Sequence, residues 1–255
     1  MQPGAYLDFA QVVLYVFWIF FACLIFYLRR EDKREGYPLE STASGGGVQH
    51  GFPRMPDPKT YLLRDGHTVT LPNNRNHRGP VALTPVAVWE GAPQEPTGNP
   101  MLDGVGPASW ANREDVPETD IEGLPCIVPL RLAEKTFLES RDPDPRGMKV
   151  IGADGEIGGV VTDVWLDRAE ALIRYIEVEV TAAGGAKRVL LPMTFAIVNG
   201  SRGRVIVDAI LGSQFANVPV TKSLDQVTKL EEDKICGYYG GGTLYATPSR
   251  QEPLI

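Results

Sequence analysis

Residues Phe9 to Leu28 read FAQVVLYVFWIFFACLIFYL, with Gln11 the one clearly polar side chain. About 20 helical residues at 1.5 Å each cover roughly 30 Å, the hydrocarbon thickness of a bilayer. A helix apolar on every face is rare outside membranes, so a buried core helix is the weaker reading. Tyr6 and Tyr27 flank the run where amphipathic rings would meet an interface, with Tyr15 and Trp18 between them. A cleaved signal peptide needs a basic start, a shorter apolar stretch and a small-residue cleavage site. Here Asp8 precedes the run without any Lys or Arg, and the run ends on bulky Tyr27 and Leu28. The segment is read as a transmembrane helix.

Flanking charge orients it. Arg29, Arg30, Lys33 and Arg34 follow the span at once. Basic residues are retained on the cytoplasmic side, which predicts a periplasmic N-terminus and a cytoplasmic C-terminal domain. The expected division is residues 1–8 periplasmic, 9–28 spanning, 29–117 a loop-rich segment at the membrane surface, and 118–255 a globular domain.

Glu31 and Arg34 are helical neighbours, which extends the helix a turn into water until Gly36 and Pro38 stop it. Ser41–Gly47 reads as a flexible Ser/Gly stretch. From Phe52 to Pro117 prolines recur, with short strand-like runs at Lys59–Leu63, Thr68–Leu71 and Val81–Val88. So long a stretch with little regular structure is uncommon unless it lies against something. Tyr61, Trp89, Met101 and Trp110 are apolar groups seeking burial there, which argues against a floppy linker.

Beyond Ile127 the pattern is β. Ala153-Asp154-Gly155 marks a turn; Gly159–Leu166 and Tyr175–Val180 alternate, with Glu177 and Glu179 on one face. Arg188–Leu191, Phe195–Val198 and Arg204–Ile210 continue the series, which predicts a small antiparallel barrel or sandwich. Ser223 and Gln226 fit a capping box for a final helix, which Gly240-Gly241-Gly242 would end.

The chain carries a net charge of -7, a poor match to nucleic acid. Cys23, Cys126 and Cys236 are odd in number and widely spaced, so neither a disulfide framework nor a zinc site is indicated. His50, His67 and His77 lack metal-site spacing. No GxSxG, P-loop or HExxH occurs, and the glycines of 152–159 sit between strands, which favours a β-turn over a nucleotide loop. What remains is a set of acids: Asp115, Glu118, Asp120 and Glu122, then Asp163, Asp167, Glu170, Glu177 and Glu179. A solvated acidic surface accounts for most of them. The second reading is a proton path, since carboxylates partly buried near a redox site can relay protons.

Several phrases carry a resemblance. Leu28-Arg29-Arg30-Glu31-Asp32-Lys33-Arg34-Glu35-Gly36-Tyr37-Pro38-Leu39 directly follows the span. Pro96-Thr97-Gly98-Asn99-Pro100-Met101, Gly104-Val105-Gly106-Pro107-Ala108-Ser109-Trp110 and Asp142-Pro143-Asp144-Pro145-Arg146-Gly147 follow in order. Phe215-Ala216-Asn217-Val218-Pro219 and Glu231-Glu232-Asp233-Lys234-Ile235-Cys236-Gly237-Tyr238-Tyr239 complete the set. Across nearly the whole chain these resemble the H subunit of the purple-bacterial photosynthetic reaction centre. The segment from Gly147 to Leu211 resembles its PRC-barrel domain.

The resemblance implies an accessory, non-enzymatic subunit of the bacterial inner (intracytoplasmic) membrane that binds no cofactor itself. It would cap the cytoplasmic face of the L and M subunits, against membrane lipids, and conduct protons to the secondary quinone. Bacteriochlorophyll, bacteriopheophytin, quinones and non-haem iron would belong to the complex, with a carotenoid, a cytochrome subunit and a light-harvesting 1 antenna as open additions. Glu170 matches the family's quinone-proximal glutamate, Arg174 also matches, and Asp120 falls where the family has an acid near the point of proton uptake. Some members carry a histidine pair just after that acid; this chain has Ile121-Glu122-Gly123, so no metal site is expected and Asp120 with Glu122 would serve alone. The rival readings are a membrane-tethered PRC-barrel adaptor for a soluble partner, and an acid/base hydrolase using Asp163 and Asp167. Stand-alone PRC-barrel proteins are expected to lack the motifs before the barrel, and nothing complements the two carboxylates.

Overall fold

The apolar run forms one helix, α1 (Phe9–Glu31), with no buried side chain along its 23 residues. The structure, a computed structural model, describes residues 8–37, 39, 51–73, 80–89, 91–133, 136–182 and 184–251. Tyr6, Pro38, Ser41–Gly47, His50 and His77 lie outside the described residues. The α1 helix is the one helix among the described residues long and apolar enough to cross a membrane. The chain divides into two compact units, one of residues 1–77 with 87–92, the other of residues 78–86 with 93–255.

In the first unit a 3-10 turn, Asp32–Arg34, extends α1 as the charge pattern predicts, and Gly36 follows at φ +71°. Lys33 and Arg34 are buried, because both are needed to satisfy backbone carbonyls. Lys33 donates to the carbonyl of Pro53, and Arg34 to those of Asp57 (2.7 Å) and Leu71 (3.0 Å). The Arg34 guanidinium also grips Glu31 with two hydrogen bonds, 3.0 and 3.1 Å. Strands β1 (Lys59–Leu62) and β2 (Thr68–Leu71) pair as an antiparallel hairpin, registered Lys59 to Leu71. They realise two of the strand-like runs. Tyr61 and Trp89 remain exposed.

The second unit begins with the short pair β3 (Leu83–Pro85) and β4 (Gln94–Pro96). Of the strand-like run expected over 81–88, Leu83–Pro85 forms a strand. Helix α2 (Pro100–Asp103) starts on Asn99, whose side chain accepts from the amides of Met101 and Leu102, and ends on left-handed Gly104. Asn at the cap, Pro at the first position and Gly after the end explain the local fold. Met101 is buried, as its apolar character requires.

The main sheet contains β5 (Ile127–Pro129), β6 (Lys149–Ile151), β7 (Ile157–Asp167), β8 (Leu172–Ala182), β9 (Gly185–Pro192), β10 (Ile197–Asn199) and β11 (Arg204–Ile206). Strand order is β10-β11-β6-β7-β8-β9, with β5 also on β7. All neighbours are antiparallel except β11 with β6. The turn at 153–155 forms as read: Gly155 has φ +81°, and Asp154 accepts from the amides of Glu156 and Gly212. The strand expected from Phe195 starts at Ile197, after a 3-10 turn, and the one expected to reach Ile210 ends at Ile206. Val150, Val161, Ile176, Val178, Leu191 and Phe215 fill the core. Fully burying an aliphatic side chain of this size contributes roughly 2 kcal/mol.

Helix α3 (Lys229–Tyr245) closes one side of this core with Ile235, Tyr238 and Tyr239. Its start differs from the expected Ser223/Gln226 box. Thr228 is the cap: its side chain accepts from the Glu231 amide, while Glu231 accepts from the Thr228 amide at 2.9 Å. Ser223 instead closes a local turn with the Asp225 amide. Its end differs too, for α3 runs through Gly240–Gly242. These glycines serve close approach rather than termination. A Cβ on Gly241 would lie 2.5 Å from Ala108 Cβ, and one on Gly242 2.5 Å from the Ala209 carbonyl oxygen.

Candidate functional site

The β7–β8 hairpin positions Glu170. Asp167, the last residue of β7, accepts from the amides of Ala169 (2.9 Å) and Glu170 (3.1 Å) and so shapes the turn. Ala171 then takes φ +54°, a left-handed conformation that costs an L-residue roughly 1 kcal/mol. Glu170 is exposed, and its carboxylate lies 3.8 Å from the exposed Arg174 guanidinium. Such a surface pair contributes little to stability, about 0–1 kcal/mol.

The loop before β5 docks on this hairpin. Thr119 and Pro125 form a bridge, and the Arg168 amide donates to the Cys126 carbonyl at 2.9 Å. Within the loop, one Asp120 oxygen accepts from the amides of Glu122 and Leu124, each at 2.9 Å. The other accepts from the Arg168 guanidinium at 2.7 Å. The Leu124 amide first, then the Glu122 amide and Arg168, outweigh partial burial and hold the Asp120 carboxyl below the usual range. Glu122 is exposed beside it. The folded chain thus brings Asp120, Glu122, Arg168, Glu170 and Arg174 to one end of the sheet.

Two further groups of acids are buried, although most of the acids singled out in the sequence stay exposed, as expected. Asp163 and Glu177 are direct cross-strand partners on β7 and β8. Like charges opposite one another repel. Arg131 lies between them, 3.1 Å from Asp163 and 3.0 Å from Glu177. Glu177, 2% exposed, also accepts from Thr162 (2.7 Å) and from the Trp165 indole (3.0 Å). Burial would raise its carboxyl, but these donors, with Arg131, bring it below the ordinary value. Glu179, two residues on, stays exposed. Asp163 and Asp167 are likewise occupied by structural bonds, which leaves the hydrolase reading without a free acid/base pair.

The second group joins β8 to α3. The Tyr175 hydroxyl donates to Glu232 at 2.6 Å, and both residues are buried. Burial first, then nearby Glu118, raise the Glu232 carboxyl above its usual range despite Tyr175 and Arg174. Sequence reading passed over this pair; the signal available was an acidic residue in the first turn of an otherwise core-facing helix. Among the described residues, no three His, Cys, Asp or Glu side chains gather as a metal site. His67 instead pairs with Asp65 at 3.0 Å on the surface.

An apolar N-terminal helix joined to a mainly β domain with a C-terminal helix defines a membrane-anchored PRC-barrel protein. The PRC-barrel domain family model matches residues 138–214, the region of the main sheet. The model of the photosynthetic reaction centre H-chain N-terminal region matches residues 3–132. The chain belongs to the photosynthetic reaction centre H-chain family.

Proposed function

We propose that this chain is a non-enzymatic subunit that caps the cytoplasmic face of the L and M subunits and conducts protons to the secondary quinone they hold. The membrane would be the bacterial inner membrane, with the N-terminus periplasmic. The observation that carries the reading is the link from Asp120 through Arg168 to the hairpin bearing Glu170. Reducing a quinone to quinol takes two electrons and two protons, and a site roofed by protein needs groups that pass protons inward. Asp120, held as a carboxylate and flanked by Glu122, attracts protons at the surface. Glu170 is the next carboxyl group on the path, with the Arg174 guanidinium 3.8 Å away. The match of the H-chain model ahead of the barrel supports this reading over a tethered adaptor for a soluble partner.

Glu170→Gln keeps the shape of the side chain and removes its titratable group. In the assembled complex it should slow the proton-coupled second electron transfer to the quinone and leave the first nearly unchanged. Flash kinetics separates the two steps. An unchanged rate and pH dependence of the second step would make Glu170 an ordinary surface carboxylate.

A further inference from the structure

Glu232 is a buried carboxylate that the proposed path through Asp120 and Glu170 does not use. It lies in the first turn of α3, 8% exposed, with the Tyr175 hydroxyl 2.6 Å from Oε2. Tyr175 is the neighbour in β8 of Arg174, the residue beside Glu170. We propose that Glu232 is a second proton-holding carboxylate of this domain, coupled to Glu170 through the charge of Arg174. The inference rests on the proton-conducting reading above and adds a storage site to it.

The geometry meets what storage requires. A buried carboxylate without a full ion pair holds a proton reversibly. The charged and titratable groups facing Glu232 are Arg174 and Tyr175 from β8, Glu118 and Arg113 from the chain before β5, and Asp233 and Cys236 on α3 itself. Arg174 and Arg113 favour the carboxylate; Glu118 opposes it, and burial opposes it most. Tyr175 remains a donor, since burial holds its hydroxyl far above the usual phenol range. Arg174 favours the charged form of Glu232 and lies 3.8 Å from Glu170, so the two carboxylates share one cationic neighbour. The step itself is simple: the Glu232 carboxylate takes one proton from solvent, forming an O–H bond, and later releases it.

The test is infrared titration of the carboxyl C=O stretch in the complete membrane complex. Glu232→Gln should abolish one protonated-carboxyl band. Glu170→Gln should keep that band and move its midpoint to lower pH, because Arg174 then acts on Glu232 alone. Arg174→Gln should move it to higher pH, each shift being about one unit. Tyr175→Phe leaves the carboxyl in place and removes a donor to its charged form, so its midpoint should also rise. It serves if Glu232→Gln fails to assemble. No band lost in Glu232→Gln, or a midpoint unmoved in the Glu170, Arg174 and Tyr175 variants, overturns the proposal. Flash kinetics keeps the two readings apart. If Glu170→Gln slows the second electron transfer while no Glu232 band exists, the path stands and the storage site falls. If the band exists and shifts while electron transfer is unaffected, the coupling stands and the quinone path falls.

Discussion

Arg131 donates to the Glu177 carboxylate at 3.0 Å, across 46 residues of sequence. The same guanidinium reaches Asp163, Asp225 and the Leu224 carbonyl. One side chain therefore bridges two facing carboxylates and ties the segment before α3 to the sheet.

Among the described residues, removing Arg131 leaves buried Glu177 with Arg188, 3.4 Å away, as its cationic partner. Arg131→Ala should destabilise the protein on the order of 3 kcal/mol, the cost of breaking a buried pair. Thermal or denaturant unfolding of the solubilised chain measures it. Glu177 has a folded value below its unfolded one, so its contribution is present above the ordinary carboxylate range and is lost as pH falls through the depressed value. The difference between wild type and Arg131→Ala should accordingly shrink in acid; a difference constant with pH would show that Arg131 acts by packing alone.

The glycines of α3 give a second test. Helix propensity favours Ala over Gly by about 1 kcal/mol, whereas overpacking costs typically 1–3 kcal/mol. A Cβ on Gly242 would meet Ile210 at 2.4 Å and the Ala209 carbonyl oxygen at 2.5 Å, so the clash should win. Gly242→Ala should lower the melting temperature. On Gly240 the nearest atom to a Cβ is the Pro107 carbonyl oxygen at 3.0 Å, and Gly240→Ala should be much closer to neutral. Equal effects at the two positions would refute the close-approach account.

Orientation is testable by protease. Arg29 and Arg30 follow the span at the end of α1, and retention of basic residues inside predicts a cytoplasmic domain. Protease added to right-side-out cells should leave the domain intact. In inverted vesicles, cleavage should occur near Phe137, 82% exposed. Digestion from the outside would reverse the assignment.

Much of the architecture is written in local pattern. The apolar run makes α1, since a helix that satisfies its own backbone needs nothing from the rest of the chain. Asp154-Gly155 makes its turn, and alternation locates β7 and β8, because each depends on residues a few positions apart. The resemblance also pointed to Asp120 and Glu170. What local pattern could not supply is partnership at a distance. Asp163 and Glu177 look like surface acids until strand register sets them opposite one another and Arg131 arrives from 32 and 46 residues away. Tyr175 and Glu232 are 57 residues apart and meet only because α3 packs against the sheet. The same packing carries α3 through glycines that would otherwise be read as its end. Burial is set by closure of the whole sheet and helix, and burial decides which carboxylates are solvated, which are neutralised and which can hold a proton.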